Sequence, residues 1–451
     1  MLAFSRACPP LAIARHGRSH LGTASKRLPH LRLTHSAVRH QTVVEKYLLD
    51  HIKALGPLSF ATYMQQCLSH PTHGYYTNPE NKVFGARGDF ITSPEISQVF
   101  GELAAVWLLS QHELAGKPSR IRLVELGPGK GTLMADILRV VQHFLPGKDI
   151  NVHLVETSEA MRETQRESLA NSNATLHWHS AIKEIPNSAS EYTMLIAHEF
   201  FDALPVHIFQ KSDTGHWHEI LVDASESEAV ADDAASESSP PKTSSFRYVL
   251  SPQPSTISTI LSMSSPRFKD LPAGATIEVS PNSFRIARKV GELLASSQPT
   301  PNSGNTSIGG AGLIVDYGGD RHFDNSFRAF KNHKMVDVFH EPGNCDITAN
   351  VDFAYLKESM TDLVATHGPM SQQSFLEGLG LQLRVEALVR NAASDEQREQ
   401  IRGAVKRLTD PNGMGGEYQV LGITSRGSSE GIGPSQSQPQ STWPFVAPAT
   451  Q

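Results

Sequence analysis

A glycine cluster between a short apolar run and an amphipathic segment is the strongest structural signal in this chain. Its residues are Glu125-Leu126-Gly127-Pro128-Gly129-Lys130-Gly131-Thr132-Leu133. The apolar run at 120–126 predicts a strand, and the helical spacing of apolar residues at 133–144 predicts a helix. Gly127 permits a tight turn, Gly129 lets a ligand approach the backbone, and Gly131 allows close packing of helix on strand. The cluster therefore predicts a strand–loop–helix unit of an α/β fold.

The spacing of these glycines differs from the G-x-G-x-x-G of a dinucleotide-binding loop. The third glycine comes one residue early, and an acid, Glu125, stands two positions before the first. The pattern is similar to motif I of class I methyltransferases, whose loop holds the methionine moiety of S-adenosylmethionine. On this interpretation Gly127, Gly129, Gly131 and Thr132 form the loop. Glu125 would then interact with the cationic amino group, directly or through water. The alternative is a strand–turn–helix unit that binds nothing.

Strands and helices alternate through the middle of the chain. Strands are predicted at 120–126, 152–155, 175–178, 194–197 and 312–315. This alternation predicts an α/β fold: the doubly wound, Rossmann-like sheet of a class I methyltransferase, with helices on both faces. Apolar residues at helical spacing predict an N-terminal helical extension at 42–55, 60–68 and 96–114, with Ser59 as an N-cap. The long gap before the last of these strands predicts insertions between strands 4 and 5.

Composition shifts divide the chain further. We predict a mitochondrial transit peptide at 1–41, a helical and loop-rich cap over the cofactor site at 42–118, and the methyltransferase domain at 119–425. Residues 224–245 are rich in Ser, Ala and acids, which predicts a disordered insertion. The tail at 426–451 is also predicted to be disordered.

The N-terminal segment has an unusual charge pattern. No Asp or Glu precedes Glu45, whereas Arg and Lys recur among Ser, Thr, Leu and Ala. An Arg-rich leader without acids is typical of a mitochondrial transit peptide, and this predicts a location in the mitochondrial matrix. The alternative is a basic tail that binds an acidic partner.

Other features exclude several classes of protein. The formal net charge of −6 argues against a general nucleic-acid binder. The sequence has no apolar run of about 18 residues, which argues against stable membrane insertion. The cysteines, Cys8, Cys67 and Cys345, lack the spacing of a zinc site or a disulfide framework, so no metal is predicted. The oligomeric state is left open.

Two further segments are candidates for cofactor binding. Glu156 ends the strand at 152–155, 25 positions after Gly131, where a carboxylate can accept hydrogen bonds from both ribose hydroxyls. The alternative is an acid that faces the dipole of the next helix. Ser180, Ala181 and Ile182 follow the third strand and are predicted to flank the adenine ring, or alternatively to be core residues.

Beyond these motifs, the sequence resembles the MidA-like methyltransferases from about Val43 to Thr424. The segments that carry the resemblance are His73-Gly74-Tyr75-Tyr76, Gly88-Asp89-Phe90-Ile91-Thr92-Ser93-Pro94-Glu95-Ile96-Ser97, Glu199-Phe200-Phe201-Asp202-Ala203-Leu204-Pro205-Val206, Asp316-Tyr317-Gly318 and Asp346-Ile347-Thr348. The resemblance implies symmetric dimethylation of an arginine in a matrix-arm core subunit of mitochondrial complex I during its assembly. It also implies that Thr92, Ser93 and Glu95 cover the cofactor, although Pro94 alternatively makes this segment a structural turn. His198 stands where the family usually has Asn.

Glu199 and Asp202 are the candidate catalytic residues, with His198 beside them. They follow the fourth strand, at the carboxyl edge where sites of such sheets lie. An arginine is always protonated in water, and carboxylates orient its guanidinium. The alternative is a helix-capping Asp202 and a solvated Glu199.

Three functional hypotheses follow. The first is an active protein-arginine methyltransferase, and the second is an assembly chaperone that binds S-adenosylmethionine without turnover. The third, a nicotinamide-dependent oxidoreductase, is disfavoured by the glycine spacing.

Overall fold

The computed structural model describes residues 41–78, 81, 92–225, 244–297, 307–426 and 442–446. The predicted transit peptide, apart from residue 41, therefore lies outside the described residues. So do positions 226–243 of the predicted insertion and most of the predicted tail. Residues 82–91, which carry part of the MidA-like resemblance, also lie outside them.

The helices of the described residues are α1 (Val43–Leu55), α2 (Phe60–Ser69), α3 (Ser93–Ile96), α4 (Gln98–Leu114), α5 (Thr132–Phe144), α6 (Glu159–Leu169), α7 (Thr256–Ser262), α8 (Pro281–Leu294), α9 (Phe353–Met360), α10 (Gln372–Gly378), α11 (Leu381–Asn391), α12 (Asp395–Leu408) and α13 (Met414–Glu417). Ser59 caps α2 as predicted, because its side chain accepts a hydrogen bond from the backbone N–H of Thr62 at 3.1 Å.

The strands of the same residues are β1 (Leu58–Ser59), β2 (Ile121–Leu126), β3 (Ile150–Val155), β4 (Ala174–His179), β5 (Tyr192–His198), β6 (His207–Lys211), β7 (Trp217–Ala224), β8 (Phe246–Leu250), β9 (Thr276–Val279), β10 (Ser296–Ser297), β11 (Ser307–Ile308), β12 (Gly310–Gly319), β13 (Arg328–Lys331), β14 (Lys334–Val336), β15 (Asp346–Thr348), β16 (Val351–Asp352), β17 (Val364–Ser371) and β18 (Tyr418–Ser425). Each strand predicted from the sequence lies within one of these elements or overlaps it.

The central sheet has the order β17-β18-β12-β5-β2-β3-β4. The run from β12 to β4 is parallel, whereas β18 and β17 join it antiparallel beyond β12. This arrangement confirms the predicted doubly wound sheet and adds two antiparallel strands that the sequence patterns did not predict. The carboxyl ends of β2, β3, β4, β5 and β12 meet at one edge of the sheet, where ligands bind in such folds.

Helices cover both faces of the sheet. Leu195 and Ile196 are neighbours on β5 but pack into different core layers, because successive side chains of a strand point to opposite faces. Ile196 packs with apolar residues of α4 and α5, and Leu195 packs with those of α8 and α9. Since α4 is part of this layer, the predicted cap at 42–118 is not separate from the central domain.

The insertion between β5 and β12 is largely a folded sheet. Its strands β6, β7, β8 and β9 form a sheet in which β7-β6-β9 are consecutive and β8 pairs with β7, and β1 from the N-terminal part of the chain also pairs with β7. A smaller sheet of order β14-β13-β15 follows β12. The helices α1 and α2 pack against these strands through Leu48, Tyr63 and Phe246. The predicted boundaries of the disordered segment, 224 and 245, are wrong: Ala224 ends β7, and the N–H of Ser225 donates to the carbonyl of Ser245 at 2.9 Å.

The prediction of a wholly disordered tail is also wrong, because residues 442–446 pack on the central domain. The indole N–H of Trp107 donates to the carbonyl of Trp443 at 3.1 Å. The ring of Phe445 lies edge-on to Trp107, with 5.9 Å between centroids. A Cβ added to Gly422 would stand 2.6 Å from Phe445, so this glycine makes room for the ring. The packing of the Phe445 ring therefore holds this segment on the domain, although the sequence around it is mostly polar.

Candidate active site

The glycine loop after β2 has the backbone that its sequence predicts. Gly127, Gly129 and Gly131 adopt positive φ angles of 64°, 51° and 82°. Side chains other than glycine rarely tolerate this region of φ. A Cβ at Gly127 would also lie 2.9 Å from the ring of Phe200. The loop is thus shaped by backbone conformations that glycine alone adopts easily.

A cavity of about 60 Å³ lies over this loop. Its lining residues are Thr92, Pro94, Glu95, Glu125, Gly127, Pro128, Gly129, Lys130, Thr132, Leu133, His198 and Glu199. Lys130 forms an ion pair with Glu95 at 3.1 Å. The cavity thus brings together the motif I residues, two residues of the segment predicted to cover the cofactor, and the end of β5.

Three buried polar atoms of this cavity have no hydrogen-bond partner among the described residues. They are Oε2 of Glu95, Oε2 of Glu125 and Nε2 of His198. Burial raises the pKa of Glu125 to about 8. A cationic amino group would restore the ionised form and supply the missing partner. These residues therefore fit the amino-acid end of S-adenosylmethionine, as the sequence predicted for Glu125.

A second cavity, of about 350 Å³, shares Gly127, Gly129 and Glu199 with the first. One end of it is lined by Glu156, Ser180, Ala181 and Ile182, together with Met161 of α6. These are the residues predicted for the ribose and adenine. An apolar cavity of this size with a few polar groups is typical of a small-molecule site.

Gln165 on α6 connects the glycine loop to Glu156. It is fully buried, and its side-chain NH₂ donates to the carbonyl of Gly129 at 2.8 Å and to Oε2 of Glu156 at 3.2 Å. Its carbonyl accepts the indole N–H of Trp178 at 2.9 Å. No sequence pattern predicts a role for Gln165, because it stands among other polar residues of α6 and only the fold shows that it is buried.

The hydrogen bonds at this end limit what each residue can offer a ligand. Oε1 of Glu156 accepts the N–H of Ser158 at 2.7 Å, so the carboxylate is oriented before a ribose arrives. Ser180 accepts a hydrogen bond from Arg162 at 2.9 Å through its hydroxyl. Its hydroxyl hydrogen is still available to an acceptor on the ligand.

The other end of the larger cavity is acidic and aromatic. It is lined by Glu199, Asp202, Asp346, Tyr76, Phe200, Tyr317, Phe330 and Thr348. The hydroxyl of Tyr76 donates to Oδ1 of Asp346 at 2.8 Å. The two predicted carboxylates thus share this end with a third, Asp346, which lies on β15 after the insertion. Asp346 was noted in the sequence only as part of the MidA-like resemblance.

Asp316 fixes the turn that carries these carboxylates. One of its oxygens, Oδ2, accepts the backbone N–H groups of Phe200, Phe201 and Asp202 at 3.2, 2.9 and 3.3 Å. The turn also has positive φ at Glu199, 49°, which is strained for a residue with a side chain. Asp316 therefore compensates the strain at Glu199 from the end of a neighbouring strand.

Glu199 lies where the two cavities meet. Its Oε1 accepts a hydrogen bond from the hydroxyl of Tyr418, which in turn lies 2.6 Å from the hydroxyl of Tyr317. Burial raises the pKa of Glu199 to about 8, the bond from Tyr418 lowers it, and the nearby carboxylates of Asp202 and Asp346 raise it. The site can therefore release and take up a proton near neutral pH.

His198 and Asp202 have different electrostatic environments. Burial lowers the pKa of His198 to about 3, so this imidazole is neutral. Burial raises the pKa of Asp202 to about 6, and the charge of Arg328 opposes that shift. Asp202 thus retains a carboxylate at neutral pH, whereas His198 contributes a ring that stacks on Tyr418 with 5.9 Å between centroids.

Two predicted site residues do not line either cavity. Ser93 is fully buried, and its hydroxyl donates to Oε1 of Gln372 at 3.1 Å. Gly131 caps α5 beside Gln165. The side chain of Ser93 ties α3 to α10, so a part for Ser93 in covering the cofactor stays a prediction. Thr92 and Glu95, on either side of it, line the smaller cavity.

Within the described ranges no group of three or more His, Cys, Asp or Glu residues is arranged to hold a metal ion. No helix in that part of the chain is both long and apolar enough to cross a bilayer.

Comparison with known proteins agrees with this geometry. A family model of S-adenosyl-L-methionine-dependent methyltransferases matches residues 103–370. The chain is 36% identical over 400 residues to the mitochondrial protein arginine methyltransferase NDUFAF7 of Danio rerio, covering 84% of this chain and 86% of that protein. It is 33% identical over 405 residues to the NDUFAF7 of Homo sapiens, covering 85% of this chain and 83% of the human protein.

A similar fold is found in a COG1565 superfamily member from Burkholderia thailandensis, whose crystal structure contains S-adenosyl-homocysteine. The TM-score is 0.65 and the identity 23%, over 84% of this chain and 91% of that one. This similarity independently supports the class I methyltransferase fold of the chain.

Proposed function

Because this chain belongs to the family of S-adenosyl-L-methionine-dependent methyltransferases, we propose that it methylates an arginine side chain of another protein. The finer proposal is symmetric dimethylation of an arginine in a matrix-arm core subunit of complex I, during assembly of that complex. Arginine is proposed as the substrate because one end of the larger cavity is acidic, with Glu199, Asp202 and Asp346 in its lining. Glu199 also lines the smaller cavity, so this acidic end begins where the two cavities meet.

The chain's own residues hold the cofactor at two points. Glu125 and Glu95 offer unpartnered carboxylate oxygens to the cationic amino end, and Glu156 offers its carboxylate to the ribose. The loop at Gly127 and Gly129 lies between these points. Bound S-adenosylmethionine supplies an electrophilic methyl group on a positively charged sulfur.

Glu199, Asp202 and Asp346 are suited to a guanidinium. They lie on one cavity with aromatic walls, Tyr317 and Phe330, on which a planar cation can stack. A carboxylate localises the charge of the guanidinium and aims one nitrogen at the methyl group, so that attack occurs in line. Relatives that are named protein arginine methyltransferases support this assignment of the substrate class.

Methylation of a guanidinium releases one proton. A bond forms between nitrogen and the methyl carbon, the carbon–sulfur bond breaks, and its electron pair stays on sulfur. The nitrogen loses a proton, and Glu199 is the acceptor that we propose, because its pKa of about 8 lies close to neutral pH. Tyr418 holds the carboxylate in position through its hydroxyl.

The proposed location is the mitochondrial matrix. The relatives described above carry the word mitochondrial in their names. The complex I subunit is proposed from the resemblance to the MidA-like family.

Labelled methyl transfer tests the proposal. Purified protein is incubated with methyl-tritiated S-adenosylmethionine and isolated complex I matrix-arm subunits, and mass spectrometry then locates the label. We expect a symmetric dimethylarginine in one core subunit. Calorimetric binding of S-adenosylmethionine without transfer to any subunit would instead support the assembly chaperone that binds the cofactor without turnover.

A further inference from the structure

Arg328 on β13 contacts two residues that line the proposed arginine site. It is paired in register with Thr348, which lines the cavity. Its guanidinium carbon stands 5.2 Å from the ring centre of Tyr317 and 6.0 Å from that of Phe330, and both rings line the cavity. The chain thus places a guanidinium of its own against the two rings on which a substrate guanidinium would stack.

The contacts of Arg328 connect it to Asp202. One of its terminal nitrogens donates to Oδ1 of Asn350 at 3.1 Å. Ala349, which precedes Asn350 in the chain, donates its backbone N–H to the backbone carbonyl of Asp202 at 2.9 Å. Nε of Arg328 is buried and has no hydrogen-bond partner among the described residues. Two rings and the side chain of Asn350 therefore hold Arg328, and the residue before Asn350 is bonded to the backbone of Asp202. The attraction between Arg328 and the Asp202 carboxylate acts through space.

We propose that Arg328 is a positioning residue for the substrate arginine: stacked on Tyr317 and Phe330, it places a fixed positive charge next to the acidic end of the larger cavity and so holds the carboxylate of Asp202 ready for the substrate guanidinium. This inference rests on the proposed function, because it concerns the same acidic end of the larger cavity.

The charges around Asp202 explain why such a residue is needed. Acidic groups surround it on several elements: Glu199 in the same turn, Asp316 on β12 and Asp346 on β15. The phenols of Tyr76 and Tyr317 add no positive charge. Arg328 is the cation whose attraction lowers the pKa of Asp202, against the effect of burial. Without it, burial and mutual repulsion favour protonated Asp202, which binds a guanidinium poorly.

Binding measured against pH tests the inference. The protein is saturated with S-adenosylhomocysteine, and its affinity for arginine amide is measured by calorimetry from pH 5 to 9. In the wild type, affinity should fall as pH drops through the pKa of Asp202, near 6. In Arg328→Met the pH at which affinity falls should rise by about one to two pH units. Binding of arginine amide at pH 7 should then be several-fold weaker than in the wild type. Arg328→Lys should restore most of the wild-type profile.

Two comparisons separate this role from a structural one. Arg321→Met removes another arginine that stacks on a ring, Phe323 at 4.4 Å, outside the cavity lining, and should leave the profile unchanged. In an Asp202→Asn background, Arg328→Met should cause no further shift of the pH at which affinity falls.

The outcomes distinguish the inference from the proposed function. If the wild type binds arginine amide and Arg328→Met shows the same pH dependence, the inference fails and the proposed function stands. A shift that persists in the Asp202→Asn background also overturns it. If the wild type binds no arginine amide at any pH, both fail together.

Discussion

Tyr418, the first residue of the last strand, donates its hydroxyl hydrogen to Glu199, which lies 219 positions earlier in the chain. The contact joins the proposed proton acceptor to a strand that the sequence patterns did not place in the sheet. It also makes the ionisation of Glu199 dependent on a second residue.

The first prediction concerns Glu199→Gln. The amide keeps the size of the side chain but removes its charge. A hydrogen bond to a charged group contributes roughly 1.5–3 kcal/mol, and about 1.36 kcal/mol of barrier corresponds to a tenfold change in rate. We expect turnover to fall by about one to two orders of magnitude, with the affinity for S-adenosylmethionine within about twofold of wild type. If the variant turns over at the normal rate, Asp202 or Asp346 becomes the candidate for orienting the guanidinium and accepting its proton. If the variant loses affinity for S-adenosylmethionine, Glu199 belongs to the cofactor site.

The pH dependence of turnover follows from the pKa of Glu199. A raised carboxyl pKa means that the proton acceptor is ionised above about pH 8 and protonated below it. Turnover should therefore rise between pH 7 and 9. In Tyr418→Phe the bond that lowers this pKa is lost, so the rising limb should move to higher pH. A profile that is flat from pH 7 to 9 in the wild type would exclude Glu199 as the acceptor.

Gly129→Val tests the glycine loop. A β-branched side chain tolerates the φ of 51° at this position poorly and would occupy the space where a ligand meets the backbone. Calorimetry should detect no binding of S-adenosylmethionine by a folded variant. Gly147→Val is the matched control, since Gly147 also has positive φ, 74°, but nothing lies within 4 Å of an added Cβ. If the two variants bind S-adenosylmethionine with equal affinity, the glycine loop is not part of the cofactor site.

Deletion of residues 226–243 should leave the melting temperature nearly unchanged. The composition of this segment, rich in Ser, Ala and acids, offers little apolar surface to bury. The deletion retains Ala224 and Ser245, since Ser245 also donates its hydroxyl hydrogen to Glu45 at 2.6 Å. Replacing residues 226–243 by a short Gly-Ser linker preserves the pairing of β7 and β8. A drop of many degrees in a thermal scan would show that the segment stabilises the fold.

Phe445→Ala should destabilise the protein by about 2 kcal/mol, less than the 3–5 kcal/mol of a fully buried phenylalanine because this ring is only partly buried. Denaturant unfolding measures the change. Val446→Ala is a suitable control, because Val446 is exposed. If the two variants have equal midpoints, the segment at 442–446 contributes nothing to stability.

The part of the candidate site that could be placed from the sequence is mostly local. Gly127, Gly129 and Glu156 follow strands directly, so motif and position suffice to place them at the edge of the sheet. Asp346 and Tyr418 reach the site only because β15 pairs with β13 in the small sheet after β12 and because β18 enters the central sheet, and no short pattern encodes that placement. Ser93 shows the opposite case: it stands between two cavity residues, but its buried bond to Gln372 turns it away.

The position of β18 in the sheet affects how the chain completes its fold during synthesis. Residues 418–425 pair with β12 on one side and β17 on the other, so an interior strand is made from nearly the last part of the chain. Until these residues leave the ribosome, β12 has an open edge and Glu199 lacks the hydroxyl of Tyr418. A premature stop codon before residue 418 would therefore leave an exposed, aggregation-prone edge and an incomplete active site at once.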